Sequence, residues 1–222
     1  MHKNKGFTVI ELIFVIIAVG ILAAMIIPRL EINGAREAAT QMLTHIRYAQ
    51  HLAMQDDKFV HSENEKFWFK MRWGIAINDT SLQECSVDEH GVKSWKYSIF
   101  YDKRGSGNKF SGNLNSKEEV AIDTQKSNKF LSAGWRGIPQ SYCNKINIDL
   151  NIEKKYGIKS VKFVGSCGKG KMQTINFDEL GRPMRVVSVT NNKGAKRPYS
   201  RLLKGNCKIV LTDKNNNVAS IN

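Results

Sequence analysis

From Phe7 to Ile27 the chain runs for 21 residues with a single charge, Glu11. At 1.5 Å per residue an apolar helix of that length is about 30 Å long, the thickness of a bilayer's hydrocarbon core. Lys3 and Lys5 precede the run. The positive-inside rule therefore puts the N-terminus in the cytoplasm and the rest of the chain across the membrane. A cleaved secretory signal has a shorter apolar stretch followed by a small-residue site. Ala23-Ala24 imitates such a site, but Met25-Ile26-Ile27 carry the apolar run beyond it. The segment therefore reads as an anchor.

Glu11 sets this anchor apart from a plain one. A carboxylate near the start of a spanning helix costs a few kcal/mol unless it is paired or protonated, so it marks a function by default. Within its own chain no partner is apparent. Pro28, at the end of the run, lacks a backbone donor and should kink or loosen the helix.

A basic leader, Gly6, Phe7, then Thr-Val-Ile-Glu-Leu with Glu11 at the fifth place after the glycine resembles the class III signal of type IV pilins and type II secretion pseudopilins. Pro28 falls where many of those proteins have a proline. The resemblance implies that a prepilin peptidase/methyltransferase cuts between Gly6 and Phe7 and N-methylates Phe7. It also implies that Glu11 pairs with the N-terminal amine of a neighbouring subunit during assembly. The implied partners are other pilins or pseudopilins and an inner-membrane assembly platform. The implied location is the bacterial inner membrane, single-pass, with a periplasmic head.

Beyond Pro28 the pattern is that of an amphipathic helix: Ile32, Ala35, Ala39, Met42, Leu43, Ile46, Ala49 and Ala53 recur at three- and four-residue steps. Gln41 falls on the opposite, polar face, Gly34 reads as a soft point, and Asp56-Asp57 end the pattern. Short strand-like runs follow, among them 67–69, 73–77, 97–101, 146–150, 161–164, 174–177, 186–189 and 208–211. The expected fold is α+β: a long N-terminal helix, half of it transmembrane, packed on an antiparallel β-sheet head. The expected organisation is a cleaved leader 1–6, a transmembrane and assembly helix 7–28, an amphipathic half of the same helix 29–57, and a β-rich head 58–222. Ile175 to Pro183 and Met42 to Gln50 resemble segments of the GspH/FimT-like minor pseudopilins.

Four cysteines, Cys85, Cys143, Cys167 and Cys207, all lie beyond the anchor and match no zinc-ligand spacing. An even number on the exported side predicts two disulfides. Three pairings are open, and Cys85–Cys143 with Cys167–Cys207 is the expectation. Major pseudopilins carry an acidic calcium loop near their end, whereas residues 212–218 hold one Asp among asparagines. That is too few hard oxygen charges for a calcium site, so a minor subunit fits better. Gly165 to Lys171 has the spacing of a phosphate-binding loop but is followed by Met172 and a strand-like run, so it reads as a basic hairpin. None of the five histidines forms a ligand pair or catalytic set, and no enzyme activity, cofactor or metal is expected.

The net charge of +14 admits acidic partners. Lys169, Lys171, Arg182, Arg185, Lys193, Lys196, Arg197 and Arg201 crowd the last third, and on one face they could track a phosphate backbone. Some FimT-like minor pilins bind DNA through a basic segment near the C-terminus, which residues 215–222 lack. The expected function is a minor pseudopilin, a structural subunit of a pseudopilus for type II secretion or a related machine. The alternative is a DNA-binding minor type IV pilin in DNA uptake.

Overall fold

The computed structural model describes residues 8–26, 33–56, 67–103, 110–168, 173–188 and 194–222. The chain divides into two units, residues 1–33 and 34–222. In the first, helix α1 runs from Val9 to Ile26. Pro28 and the junction 27–32 lie outside the described residues.

The second unit opens with helix α2, Gly34–Gln55. Seven strands follow: β1 Trp73–Thr80, β2 Ser94–Tyr101, β3 Ile158–Gly165, β4 Thr174–Phe177, β5 Pro183–Arg185, β6 Cys207–Asp213 and β7 Val218–Ile221, with a short helix α3, Ile152–Tyr156, before β3. They form two antiparallel sheets, ordered β2-β1-β4-β5 and β3-β6-β7. This is the α+β arrangement of a helix on an antiparallel head. One core joins α2 to both sheets. Ala35, Ala38, Ala39, Met42, Ala49 and Ala53 meet Ile75 and Ile77 of β1, Ile175 of β4, Leu211 of β6 and Ile221 of β7. The alanines let the helix lie close to the strands. Each buried Ile or Leu on the sheet side stabilises this packing by about 1.5–3 kcal/mol.

The helix face differs in part from the periodic reading. His45 is buried, while Leu43 and Ile46 are only half-buried. Gln41, expected in solvent, is half-buried and donates to Tyr97 Oη at 2.8 Å and to the Asp149 carbonyl at 3.0 Å. His45 Nδ1 lies 2.7 Å from the same Tyr97 Oη. The polar end of a tyrosine on β2 thus draws two polar side chains into the helix–sheet interface, which satisfies all three. Gly34 is no soft point: a Cβ there would lie 2.1 Å from the Tyr156 carbonyl oxygen. Only glycine allows that approach.

Three expected strands are something else. Residues 68–70 form a 3₁₀ turn, and β5 is Pro183–Arg185 rather than a run from Val186. Ile146-Asn147-Ile148-Asp149-Leu150 alternates like a strand but turns instead. The Asn147 side chain accepts from Asp149 N, and Asn151 then caps α3 by accepting from Lys154 N. Asparagine side chains compete with the sheet ladder for backbone donors, and here they win.

A second core covers the other face of β1 and β2. Phe100, Val120, Phe130, Trp135 and Ile138 pack there with Ala76. Most of these residues come from the irregular segment 110–150, which touches the sheet through single bridges such as Ser98↔Ser132 and Phe100↔Val120. These two strands are therefore covered on both faces. Both disulfides are formed: Cys85–Cys143 and Cys167–Cys207. The second joins the turn after β3 to the first residue of β6, so the glycine-rich stretch from Gly165 begins as a disulfide-held turn.

Candidate functional site

Helix α1 starts with a reciprocal cap. Thr8 N donates to Glu11 Oε2 at 2.9 Å, Thr8 Oγ1 donates to the same oxygen at 3.0 Å, and Glu11 N donates to Thr8 Oγ1 at 3.3 Å. This is a capping box, a threonine followed three residues later by glutamate, each side chain satisfying the other's backbone donor. It corrects the reading of Glu11 as lacking a partner in its own chain. The pattern Thr8-Val9-Ile10-Glu11 ahead of an apolar run was the available signal. Oε2 accepts both bonds; among the described residues Oε1 has no hydrogen-bond partner.

From Val9 to Leu22 every large apolar side chain of α1 is exposed, with Val9 at 76% and Phe14 at 67%. A helix apolar on all sides needs lipid or neighbouring helices around it. Among the described residues no helix is long and apolar enough to cross a membrane. Gly6 and Phe7 lie outside the described residues.

The end of the head shows what the calcium-loop position does here. Asp213 Oδ1 accepts from Asn215 N and Asn217 N, both at 2.9 Å. Its Oδ2 accepts from Asn217 Nδ2 at 3.0 Å and from Ala35 N at 3.4 Å. Burial raises this carboxyl, but the donors from Asn217, Ala35 and Asn215 outweigh it and hold the pKa below its ordinary value. A carboxylate engaged by four donors organises the β6–β7 turn and the start of α2.

The basic residues gather in part. Arg182 Nε pairs with Asp178 Oδ2 at 2.8 Å, and its guanidinium lies 5.5 Å from the Tyr199 ring centroid. Arg185 N donates to the Arg201 carbonyl at 2.8 Å, and Ser200 N to the Arg197 carbonyl. Of these residues, Arg182 and Arg185 flank Pro183 and Met184 of β5, and the main chains of Arg185 and Arg201 are paired. Lys196 is exposed next to Ala195, whose N–H donates to the Val187 carbonyl. Lys169, Lys171 and Lys193 lie outside the described residues. Below this group Tyr199 and the buried Arg72 both bond Glu179. Burial, more than any other cause, lowers the pKa of His45, and His51 is exposed. Among the described residues no group of three or more His, Cys, Asp or Glu side chains could hold a metal ion.

Residues 1–27 match the family described as the prokaryotic N-terminal methylation motif. That match supports a class III prepilin-type signal and, with the α+β head, a type IV pilin-like protein. The motif implies processing by a prepilin peptidase and assembly with other pilins into a pilus-like structure. It suggests a membrane-anchored N-terminus; the described part of α1 is 18 residues, about 27 Å, and the apolar run continues past both its ends. Pilin-type proteins are generally structural rather than enzymatic. No solved structure matches the chain.

Proposed function

We propose that this chain is a minor pseudopilin, a subunit of a short inner-membrane pseudopilus serving type II secretion or a related machine. The observation that carries the reading is Glu11. It is one carboxylate on a helix otherwise apolar on every side, with Oε2 held by Thr8 and Oε1 without a hydrogen bond among the described residues. An N-terminal amine supplied by the next subunit matches it in charge and removes its cost in lipid. In this reading residues 1–6 are removed after Gly6, Phe7 is N-methylated, and 7–28 anchor the chain, whose head is periplasmic. A place among the minor subunits, near the GspH/FimT-like ones, draws support from Asp213, whose oxygens face donors rather than a cation.

The test is a pair of variants in the native host. Gly6→Ala should leave the precursor uncleaved, as read by mass. Glu11→Val should be anchored and matured yet absent from sheared or cross-linked filaments. Normal filament incorporation of Glu11→Val removes the assembly role.

A second reading, a DNA-binding minor type IV pilin in uptake, is favoured by the arginines around β5. Their charge suits a phosphate backbone, although Arg182 is already paired with Asp178. A gel shift that weakens steeply with salt and is lost on Arg185→Gln with Arg197→Gln supports it. An unshifted duplex removes it.

A further inference from the structure

A chain of hydrogen bonds holds α2 against β2, and its direction is fixed. Gln41 Oε1 accepts from Lys155 Nζ at 3.0 Å and from Tyr156 Oη at 2.7 Å. Gln41 Nε2 donates to the Asp149 carbonyl at 3.0 Å and to Tyr97 Oη at 2.8 Å. An ammonium only donates and a carbonyl only accepts, so the Gln41 amide cannot turn over. Tyr97 Oη therefore accepts from Gln41, which leaves its own proton for His45 Nδ1, 2.7 Å away. His45 Nδ1 is thus an acceptor, and the imidazole is neutral with its proton on Nε2.

The surroundings resist a second proton. Tyr97 is 1% exposed and His45 9%. The added proton would sit on Nδ1 and point at Tyr97 Oη. That oxygen would then receive Gln41 and His45 together, and its own proton would have no acceptor among the bonds described. A buried donor without an acceptor is costly. Charges nearby do not reverse this. Burial lowers the pKa of His45 from the ordinary 6.5, Lys155 of α3 adds to the effect, and Asp123 opposes it without prevailing. Asp149, next to this network, is paired with Lys126 and Lys155. Toward α2 the strand β1 turns Ile75 and Ile77, with Asp79 following on the same side. Asp213 of β6 is engaged at Ala35, and β4 and β7 bring Ile175, Phe177 and Ile221. Tyr48 stands one turn along α2.

We propose that His45 is a proton-sensitive latch between α2 and β2: a proton on Nδ1 breaks the bond from Tyr97 and loosens the helix from the sheet. Above pH 6.5 the ring is neutral whether α2 is docked or free, and the latch holds in full. As pH falls below that value, the free helix takes up a proton that the docked one refuses. The hold then weakens until the docked ring is itself protonated. The latch is separate from Glu11 and from the assembly role of α1.

The experiment is hydrogen exchange of the detergent-solubilised full chain at pH 7.5 and pH 5, corrected for intrinsic rates, read at the amides of 42–50. His45→Asn is the comparison, because it keeps an acceptor near Nδ1 and cannot charge. Asp102 titrates in the same interval but is common to both chains. Protection in the parent should fall relative to the variant by several-fold, and by at most about thirtyfold, the ceiling that linkage sets for an ordinary histidine over this interval. An equal change in the two chains overturns the latch. In the parent alone, imidazole nitrogen shifts should show Nδ1 without a proton at pH 7.5 and a titration midpoint below the ordinary 6.5. A proton on Nδ1 at pH 7.5, or a midpoint at or above the ordinary one, overturns it as well.

Discussion

Asp213 and Ala35, 178 positions apart in the chain, meet where helix α2 begins: the Asp213 Oδ2 accepts from the Ala35 N–H at 3.4 Å. The first turn of a helix has donors with no intrahelical acceptor, and here the last hairpin supplies one. The same carboxylate holds the β6–β7 turn through Asn215 and Asn217. One side chain therefore ties the start of α2 to the last hairpin of the second unit. Asp213→Ala leaves backbone donors at both places without acceptors. It should lower the melting temperature by roughly 5 °C or more, whereas Asp213→Asn, which keeps one acceptor oxygen, should lose less. Equal melting of the alanine variant and the parent chain would show that the turn and the helix end hold without it.

Gly34 makes the companion contact on the same turn of α2. Alanine is a better helix former than glycine by about 1 kcal/mol, so propensity alone predicts that Gly34→Ala stabilises the chain. The Cβ, however, would stand 2.1 Å from the Tyr156 carbonyl oxygen, and backbone cannot retreat as a side-chain end can. The expected result is a net loss of about 2–3 kcal/mol in urea unfolding. Gly20 of α1 has nothing within 4 Å of its Cβ position, and alanine there should leave the unfolding of the head unchanged. A stabilising Gly34→Ala would refute the close approach.

The parts legible in the sequence are those where one period dominates. The apolar run gave α1. The alanine and methionine spacing gave α2, and Thr174-Ile175-Asn176-Phe177 gave β4 to the residue. Misreadings came where short polar side chains compete with the backbone. Asn147 and Asn151 turn an alternating run into 3₁₀ and helix. Gln41 and His45 turn inward because Tyr97, distant in sequence, offers its hydroxyl there. The site was half legible. Glu11 stood out as a charge in an apolar run, but its link to Thr8 needed the cap pattern to be sought at the start of a hydrophobic segment. The second core could not be read at all. Its residues come largely from the irregular segment 110–150, which reaches Ser98 and Phe100 of β2 only through single bridges.

The two disulfides do different work. Cys167–Cys207 closes the end of a ladder already paired from Ser160 to Gly165 with β6. Cys85–Cys143 joins two 3₁₀ turns, Glu84–Ser86 and Gln140–Lys145, that belong to no sheet. A hydrogen bond from Gly137 N to Glu84 Oε1 at 2.9 Å links the same neighbourhoods. Closing loops of these lengths restricts the unfolded chain by about 4 kcal/mol in either case, so global stability should fall similarly on Cys→Ser replacement of either pair. Local order should not. Replacing Cys85 and Cys143 should raise hydrogen exchange across residues 82–92 and 138–146 well below the global unfolding limit, whereas replacing Cys167 and Cys207 should leave β3 and β6 protected. Equal local loosening in both variants would contradict this division.

Asp102, at the end of β2, gives the head a pH dependence opposite to that of its paired carboxylates. It is 1% exposed, and its Oδ2 accepts from Gly112 N at 3.0 Å. Burial pushes its pKa up to about 6 from the ordinary 3.8. Between those values the folded chain holds a proton at Asp102 that the unfolded chain has released. Stability from this group is therefore greatest below pH ~4, falls as pH rises towards 6, and stays lower above, by about 2–3 kcal/mol in all. Asp149 acts the other way: the Lys126 ammonium beside it, more than any other group, holds its pKa down, so its contribution is present above the ordinary carboxylate range and is lost as pH falls. The two trends overlap in the parent chain and separate in a comparison of variants. Asp102→Asn keeps an oxygen for Gly112 N and cannot ionise. Relative to the parent it should be more stable at pH 7.5 and should lose most of that advantage by pH 4, in urea unfolding at the two values. A difference between the two chains that is the same at both pH values would mean that Asp102 is charged in the folded head at no cost.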